Sequence, residues 1–187
     1  ILVMELVEGG DLKQKLRELA WPELRRMCDE ILEALGHAHA RGVIHRDVKP
    51  ANVLSAKPGA RRPGWRLTDF GLAHGRFDKK AVVREGARGS PRYMAPEQIL
   101  NKNVDGRADV YALGCLMFEM LTGRVPFDCH NAMETMIAHL QTPAPRLSTA
   151  RPDLSIPPIL EQIVSKSLKK APEDRFAAIR AAAESSE

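Results

Sequence analysis

An α+β fold, mainly helical, is what the 187 residues predict. One observation is the run from Val110 to Leu121, apolar nearly all round, which is the pattern of a helix buried in a core. Another is the recurrence of Leu24, Met27, Cys28, Ile31, Leu32, Leu35 and Ala38 at helical spacing. The third is that the β-prone runs are few, short and parted by polar loops, unlike an alternating βαβ chain.

Taken in order, Ile1 to Val7 is a short apolar run ended by Glu8-Gly9-Gly10, the pattern of a buried strand entering a tight turn. Asp11 is placed to cap a helix over Leu12 to Leu19. Pro22 suits the first turn of the next helix and Glu23 its positive end, and Arg41-Gly42 stops it. Val43-Ile44 and Val53-Leu54 read as short strands around a polar loop. Residues 55–64, with two prolines and two glycines, read as an exposed turn decorated by Arg61 and Arg62, before Trp65 to Thr68 restores alternation. Residues 71–97 lack periodicity and read as one long loop. Gly123 is placed to terminate the buried helix. Amphipathic stretches follow near 131–140 and 157–170 across a proline-rich connector, and an alanine-rich helix is expected from Phe176.

The composition, 44% hydrophobic and 28% charged, is globular and argues against disorder or a fibrous repeat. The net charge is +4, but apart from Arg61-Arg62, Lys79-Lys80 and Lys169-Lys170 the cations are spread. With only two Trp and two Tyr, the chain reads as a solvated surface and not as a nucleic-acid-binding module. Cys28, Cys115 and Cys129 are odd in number and lack CxxC spacing, which favours a reducing, cytoplasmic setting over a disulfide framework or zinc site. Val110 to Met117, the longest apolar run, falls far short of the ~20 residues that span a bilayer, so no membrane segment is expected. The first residue is Ile1 and opens directly into an apolar run, from which we expect that the natural protein continues upstream.

The strongest chemical signal is His45-Arg46-Asp47-Val48-Lys49-Pro50-Ala51-Asn52. It gathers a carboxylate, an ammonium and a carboxamide on one irregular loop, and Pro50 bars regular helix at Lys49, so the side chains can converge. A carboxylate can accept a hydroxyl proton, a lysine can neutralise a phosphoryl oxygen, and a carboxamide oxygen can ligate a hard cation. The second signal is Asp69-Phe70-Gly71 after a β-prone run; the third is Ala95-Pro96-Glu97 closing the long loop. His45 reads as a packed core histidine, His37 and His39 as a poor metal pair, and Asp109 as a helix N-cap.

These motifs, in this order, resemble the protein kinase superfamily, and the likeness covers the whole chain. Lys49, with Ala95-Pro96-Glu97-Gln98, Leu121-Thr122-Gly123 and Pro172-Glu173-Asp174-Arg175, is similar to the serine/threonine branch and to its bacterial eukaryotic-like members. The resemblance implies the C-terminal lobe of the protein kinase-like fold, using ATP and Mg²⁺ on protein substrates with Ser or Thr acceptors. It implies Asp47 as catalytic base, Lys49 holding the transferring phosphoryl group, and Ser90 orienting both. Asn52 and Asp69 would hold Mg²⁺ against the nucleotide phosphates. Met4 would be the gatekeeper behind the adenine, the backbones of Glu5 and Val7 would meet its edge, Asp11 the ribose and Leu54 the underside of the base. Asp109 would tie down the backbone at His45-Arg46, and Arg175 would pair with Glu97.

Two departures stand out. The family's Gly-rich loop, strand lysine and helix glutamate precede the hinge and have no counterpart here, so residues 1–187 are expected to be a partial kinase domain, hinge and C-terminal lobe, weak in nucleotide binding by themselves. Residues 72–89 contain no Ser, Thr or Tyr, which leaves Asp78 and Glu85 as the available anions; Glu85, closer to the substrate-facing end, is expected to pair with Arg46 or with a nearby basic residue. A pseudokinase or scaffold module, binding partners without catalysis, is the alternative; Asp47, Lys49, Asn52 and Asp69 together argue against it, since a scaffold has no need of a base and metal ligands.

Overall fold

The computed structural model of the chain describes residues 7–15, 21–57, 59–60, 63–70 and 91–177. A short helix α1 (Leu12–Lys15) starts at Asp11, whose Oδ1 accepts the Gln14 N–H at 3.1 Å, as the capping residue predicts. The rest of the expected helix to Leu19 lies outside the described residues. Helix α2 (Trp21–His39) buries Met27, Ile31 and Leu35 along one stripe and leaves Glu23, Arg25 and Arg26 in solvent.

Strands β1 (Val53–Ala56) and β2 (Gly64–Leu67) form an antiparallel pair in the register Val53↔Leu67 to Ala56↔Gly64. Trp65 on β2 is buried in the same core as Met27, Ile31 and Leu35, and its N–H donates to the Glu30 carboxylate of α2, which fixes the hairpin to that helix. Val43 and Ile44, expected as a strand, are irregular. The backbone that follows them is tied by a side chain and not by a neighbouring strand: the N–H groups of His45 and Arg46 donate to Asp109.

The long loop expected over 71–97 is likewise corrected at its described end. Residues Pro91–Tyr93 make a 3₁₀ turn and Pro96–Ile99 a short helix, α3. Elements of three or four residues are too short for apolar periodicity to reveal, although proline at their first position marks both.

Helix α4 (Arg107–Thr122) is buried along most of its length. One of its sides, with Val110, Leu113 and Leu116, joins Met27, Ile31, Leu35 and Val53 in one core; Tyr111, Cys115 and Phe118 join Leu147, Val164 and Leu168 in another. Burial on both sides explains why its sequence is apolar all round. Gly123, at φ 75, ends it, and its N–H returns to the Glu119 carbonyl at 2.7 Å.

Helices α5 (Ala132–Gln141), α6 (Leu147–Ala150) and α7 (Pro158–Ser167) complete the body. Asn131 caps α5 by accepting the Glu134 N–H at 2.9 Å, and Glu161 of α7 accepts the Leu147 and Ser148 N–H groups at 2.9 and 3.0 Å. The helix expected from Phe176 falls mostly outside the described residues; Phe176 itself is buried in the first core.

Candidate functional site

The loop between α2 and β1 is built around His45, which is fully buried. Its Nε2 lies 2.8 Å from the Thr68 carbonyl oxygen; a carbonyl can only accept, so this nitrogen carries the proton. Nδ1 is then the acceptor for the Asp47 N–H at 3.2 Å. The ring also meets Phe70 edge-on, with centroids 4.6 Å apart. The expected core histidine is therefore also a strut between the Asp47 backbone and the segment leading to Asp69.

Three of the chemistry-bearing side chains converge. Lys49 Nζ is 2.6 Å from Asp47 Oδ2, and Asn52 Nδ2 donates to the same oxygen at 3.1 Å and to the Asp47 carbonyl at 2.8 Å. Asn52 is almost fully buried, while the Asp47 carboxylate is 41% exposed and open to a reactant. Pro50–Asn52 forms a single 3₁₀ turn after extended Lys49, which lets the lysine fold back onto Asp47 as Pro50 requires. Asp69 follows directly on Thr68, whose N–H and hydroxyl both donate to the Asn52 carbonyl, at 2.9 and 3.2 Å. It stands at φ 64, in the left-handed region, with its carboxylate exposed.

Asp11 and Leu54 meet at a neighbouring edge, and Val7 is irregular and half-buried. Asp11 and Leu54 form an antiparallel bridge, and the Ser55 N–H donates to the Gly10 carbonyl at 2.9 Å. Gly9 is required there: a Cβ on it would lie 1.9 Å from the Ser55 carbonyl oxygen. Met4, Glu5, Asp78, Glu85 and Ser90 lie outside the described residues.

The support beneath the loop comes from α4. Asp109, fully buried, accepts the His45 N–H at 2.8 Å and the His39 ring at 2.7 Å on Oδ2, and the Arg46 N–H at 2.8 Å on Oδ1. It lies inside the helix, where Gly106 is the residue before the first turn, so the N-cap expectation is corrected: the carboxylate serves another loop's backbone and not its own helix end. His39 is thereby explained without a metal. Among the described residues no group of three or more His, Cys, Asp and Glu gathers as a metal site.

Arg46 is held at φ 69, and its carbonyl accepts from Gln98 Nε2 at 2.8 Å. Its Nε is buried without a hydrogen-bond partner among the described residues. The segment ending in α3 is pinned by Glu97, which meets Arg175 in two parallel bonds of 2.7 and 2.9 Å, both side chains buried. Arg175 also donates to the carbonyls of Lys169, Lys170 and Arg107, which satisfies every guanidinium N–H, and its face lies 4.8 Å from the Tyr111 ring. At the start of the same segment, Tyr93 donates its hydroxyl to Glu119; burial, with Glu119 beside it, pushes the phenol well up, and burial raises Glu119 too.

Sequence reasoning missed Gln98 and His39 as loop supports. Gln98 stands three residues after Ala95, the spacing of a capping box, which signals its bond to the Ala95 N–H but not its reach to Arg46.

The model of the protein kinase domain family matches residues 1–185. Similar proteins include serine/threonine-protein kinase Pkn1 of Myxococcus xanthus, 38% identical over 182 residues that make up 96% of this chain and 26% of that protein. Serine/threonine-protein kinase PknH of Mycobacterium tuberculosis is 40% identical over 179 residues, 94% of this chain and 28% of the relative. The probable serine/threonine-protein kinase PknB of Lactococcus lactis is 36% identical over 178 residues, 94% and 27%. The chain thus spans about a quarter to a third of the length of such relatives.

Proposed function

The chain belongs to the protein kinase domain family, and on that premise we propose that it supplies the hinge and C-terminal lobe of a protein serine/threonine kinase. The observation that carries the proposal is the convergence of Lys49 and Asn52 on one oxygen of Asp47, at 2.6 and 3.1 Å. In this reading Asp47 takes the proton of a Ser or Thr hydroxyl as that oxygen bonds to the γ-phosphorus of ATP and the bond to the departing ADP oxygen breaks. Lys49 neutralises charge on the phosphoryl oxygens, and its contact with Asp47 keeps base and cation in register.

The donors present suit Mg²⁺. Asn52 commits its NH₂ to Asp47, which leaves the carboxamide oxygen as a hard ligand, and Asp69 offers an exposed carboxylate one residue beyond the Thr68–Asn52 bond. Bound there, Mg²⁺ would neutralise the charge of the nucleotide phosphates. Two protein ligands fit a cation that also coordinates phosphates and water.

We place the adenosine against Asp11 and Leu54, assign Met4, Glu5 and Val7 to the adenine from the order of motifs, and assign Ser90 to orienting Asp47 and Lys49. The Asp11–Leu54 bridge, which brings ribose and base residues together, supports the first part, and the order of motifs supports the rest. A cytoplasmic setting agrees with free thiols at Cys28, Cys115 and Cys129, and no helix among the described residues is long and apolar enough to cross a membrane.

The test is transfer from γ-labelled ATP, with Mg²⁺, to an acceptor protein such as casein, using the protein that carries this chain. Labelled phosphoserine and phosphothreonine are expected. No labelled product, or phosphotyrosine as the main one, would refute the proposal.

A further inference from the structure

Arg46 occupies the left-handed region at φ 69, a conformation unfavourable for any residue with a Cβ. Both polar ends of the residue are held by side chains from other elements. Its N–H donates to Asp109 Oδ1 of α4 at 2.8 Å, and its carbonyl accepts from Gln98 Nε2 of α3 at 2.8 Å. Asp47 is the next residue. The peptide joining them is also held by the Asp47 N–H on His45 Nδ1 at 3.2 Å, so loss of the Gln98 bond leaves that longer contact to fix the peptide from which the Asp47 carboxylate projects.

The Gln98 carboxamide has no freedom in this arrangement. Its Oε1 accepts the Ala95 N–H at 3.0 Å while its Nε2 faces the Arg46 carbonyl. A flipped amide would set donor against donor and acceptor against acceptor, so only one orientation satisfies both partners. The platform beneath is rigid as well, since the adjacent Glu97 is bound to buried Arg175. One short helix therefore both anchors to the body of the lobe, through Glu97, and reaches the loop that carries Asp47, through Gln98.

We infer that Gln98 is a positioning residue, coupling the end of the 91–99 segment to the catalytic loop by holding the Arg46 carbonyl and so setting the place of Asp47. The inference rests on the reading of Asp47 as the base.

Two variants separate this role from plain helix capping. Gln98→Glu keeps an acceptor for the Ala95 N–H but, ionised, has no hydrogen for the Arg46 carbonyl. Gln98→Lys does the reverse, offering a donor to Arg46 and nothing to Ala95. The measurements are the thermal midpoint, kcat and the KM for ATP, and amide hydrogen exchange over residues 44–48, in the protein that carries this chain. Gln98→Glu should keep the wild-type midpoint within a few degrees, lose about tenfold in kcat with KM changed less than twofold, and exchange faster at 44–48. Gln98→Lys should lower the midpoint and keep more of kcat than Gln98→Glu does. The inference is overturned if Gln98→Glu keeps kcat within twofold, or if activity in the two variants simply follows the midpoint. Should the wild type transfer no phosphoryl group, the kinase reading fails by itself and exchange decides the coupling. Faster exchange at 44–48 in folded Gln98→Glu then supports it and unchanged exchange overturns it, and if that variant does not fold, protection retained at 44–48 in Gln98→Lys supports it and protection lost there overturns it.

Discussion

Replacing Arg175 by alanine should be among the most damaging single changes to this fold. The guanidinium is fully buried, and it meets Glu97 at 2.7 and 2.9 Å and three backbone carbonyls at 2.7 to 2.9 Å. Truncation leaves the Glu97 carboxylate, 4% exposed, without its cation, and strands the Lys169, Lys170 and Arg107 carbonyls. Removing one partner of a buried pair costs about 3–5 kcal/mol, a large part of the ~5–15 kcal/mol that holds a domain together. For a urea slope of about 2 kcal/mol per molar, the midpoint should fall by roughly 1.5–2.5 M. Arg175→Lys should fall between, since it keeps charge but not the fork. Arg151→Ala is the control: Arg151 also pairs with a carboxylate, Asp153, but in solvent, and its loss should leave the midpoint unmoved. Equal small shifts for Arg175→Ala and Arg151→Ala would refute the reasoning, because they would mean that burial of the Glu97 pair contributes nothing.

Acid should weaken the fold through His139. Burial, then the charge of Lys170, lowers its pKa to about 3, so the folded chain keeps it neutral where the unfolded chain, at about 6.5, takes up a proton. Its contribution is complete above pH ~6.5 and lost as pH falls towards ~3, about 2 kcal/mol of it by pH 5. Urea midpoints at pH 7 and 5 should therefore differ more in wild type than in His139→Gln; parallel changes would count against this assignment. Gly9→Ala, whose Cβ would meet the Ser55 carbonyl, should cost about 1–3 kcal/mol by denaturant titration, and a neutral result would show that the turn is free to shift. Asp109→Ala strands the His45 and Arg46 N–H groups, at about 1–3 kcal/mol each, and should speed amide exchange there; unchanged exchange would sink the tether.

How much of this was legible in the sequence depended on how local the signal was. The buried helix around Val110–Leu121 and the stripe on α2 announced themselves because apolar spacing is a property of the segment alone. Asp11 as a cap and Gly123 as a stop were legible for the same reason. Val43-Ile44 misled because β propensity does not say whether a partner strand exists, and here Asp109 takes the following N–H groups instead. The position of Asp109 near a helix start suggests a cap, whereas its carboxylate ties down His45 and Arg46, as the family resemblance implies. The convergence of Asp47, Lys49 and Asn52 was legible because they share one loop that Pro50 keeps irregular. Gln98 was not, since its partner is 52 positions away and only the folded chain brings them together.

The central proposal is that the Asp47 carboxylate, oriented by Lys49 and Asn52 through one of its oxygens, takes the acceptor proton. The most direct measurement is single-turnover transfer from Mg-ATP by Asp47→Asn against wild type, in the protein that carries this chain, with folding checked by denaturant titration. The variant keeps the shape of the loop and an oxygen for Asn52 but loses the base, and general-base contributions run to roughly 10²–10⁴-fold. A fall of that size, with stability and ATP affinity near wild type, is the expected result. Asp47→Asn that transfers phosphate at close to the wild-type rate would contradict the account.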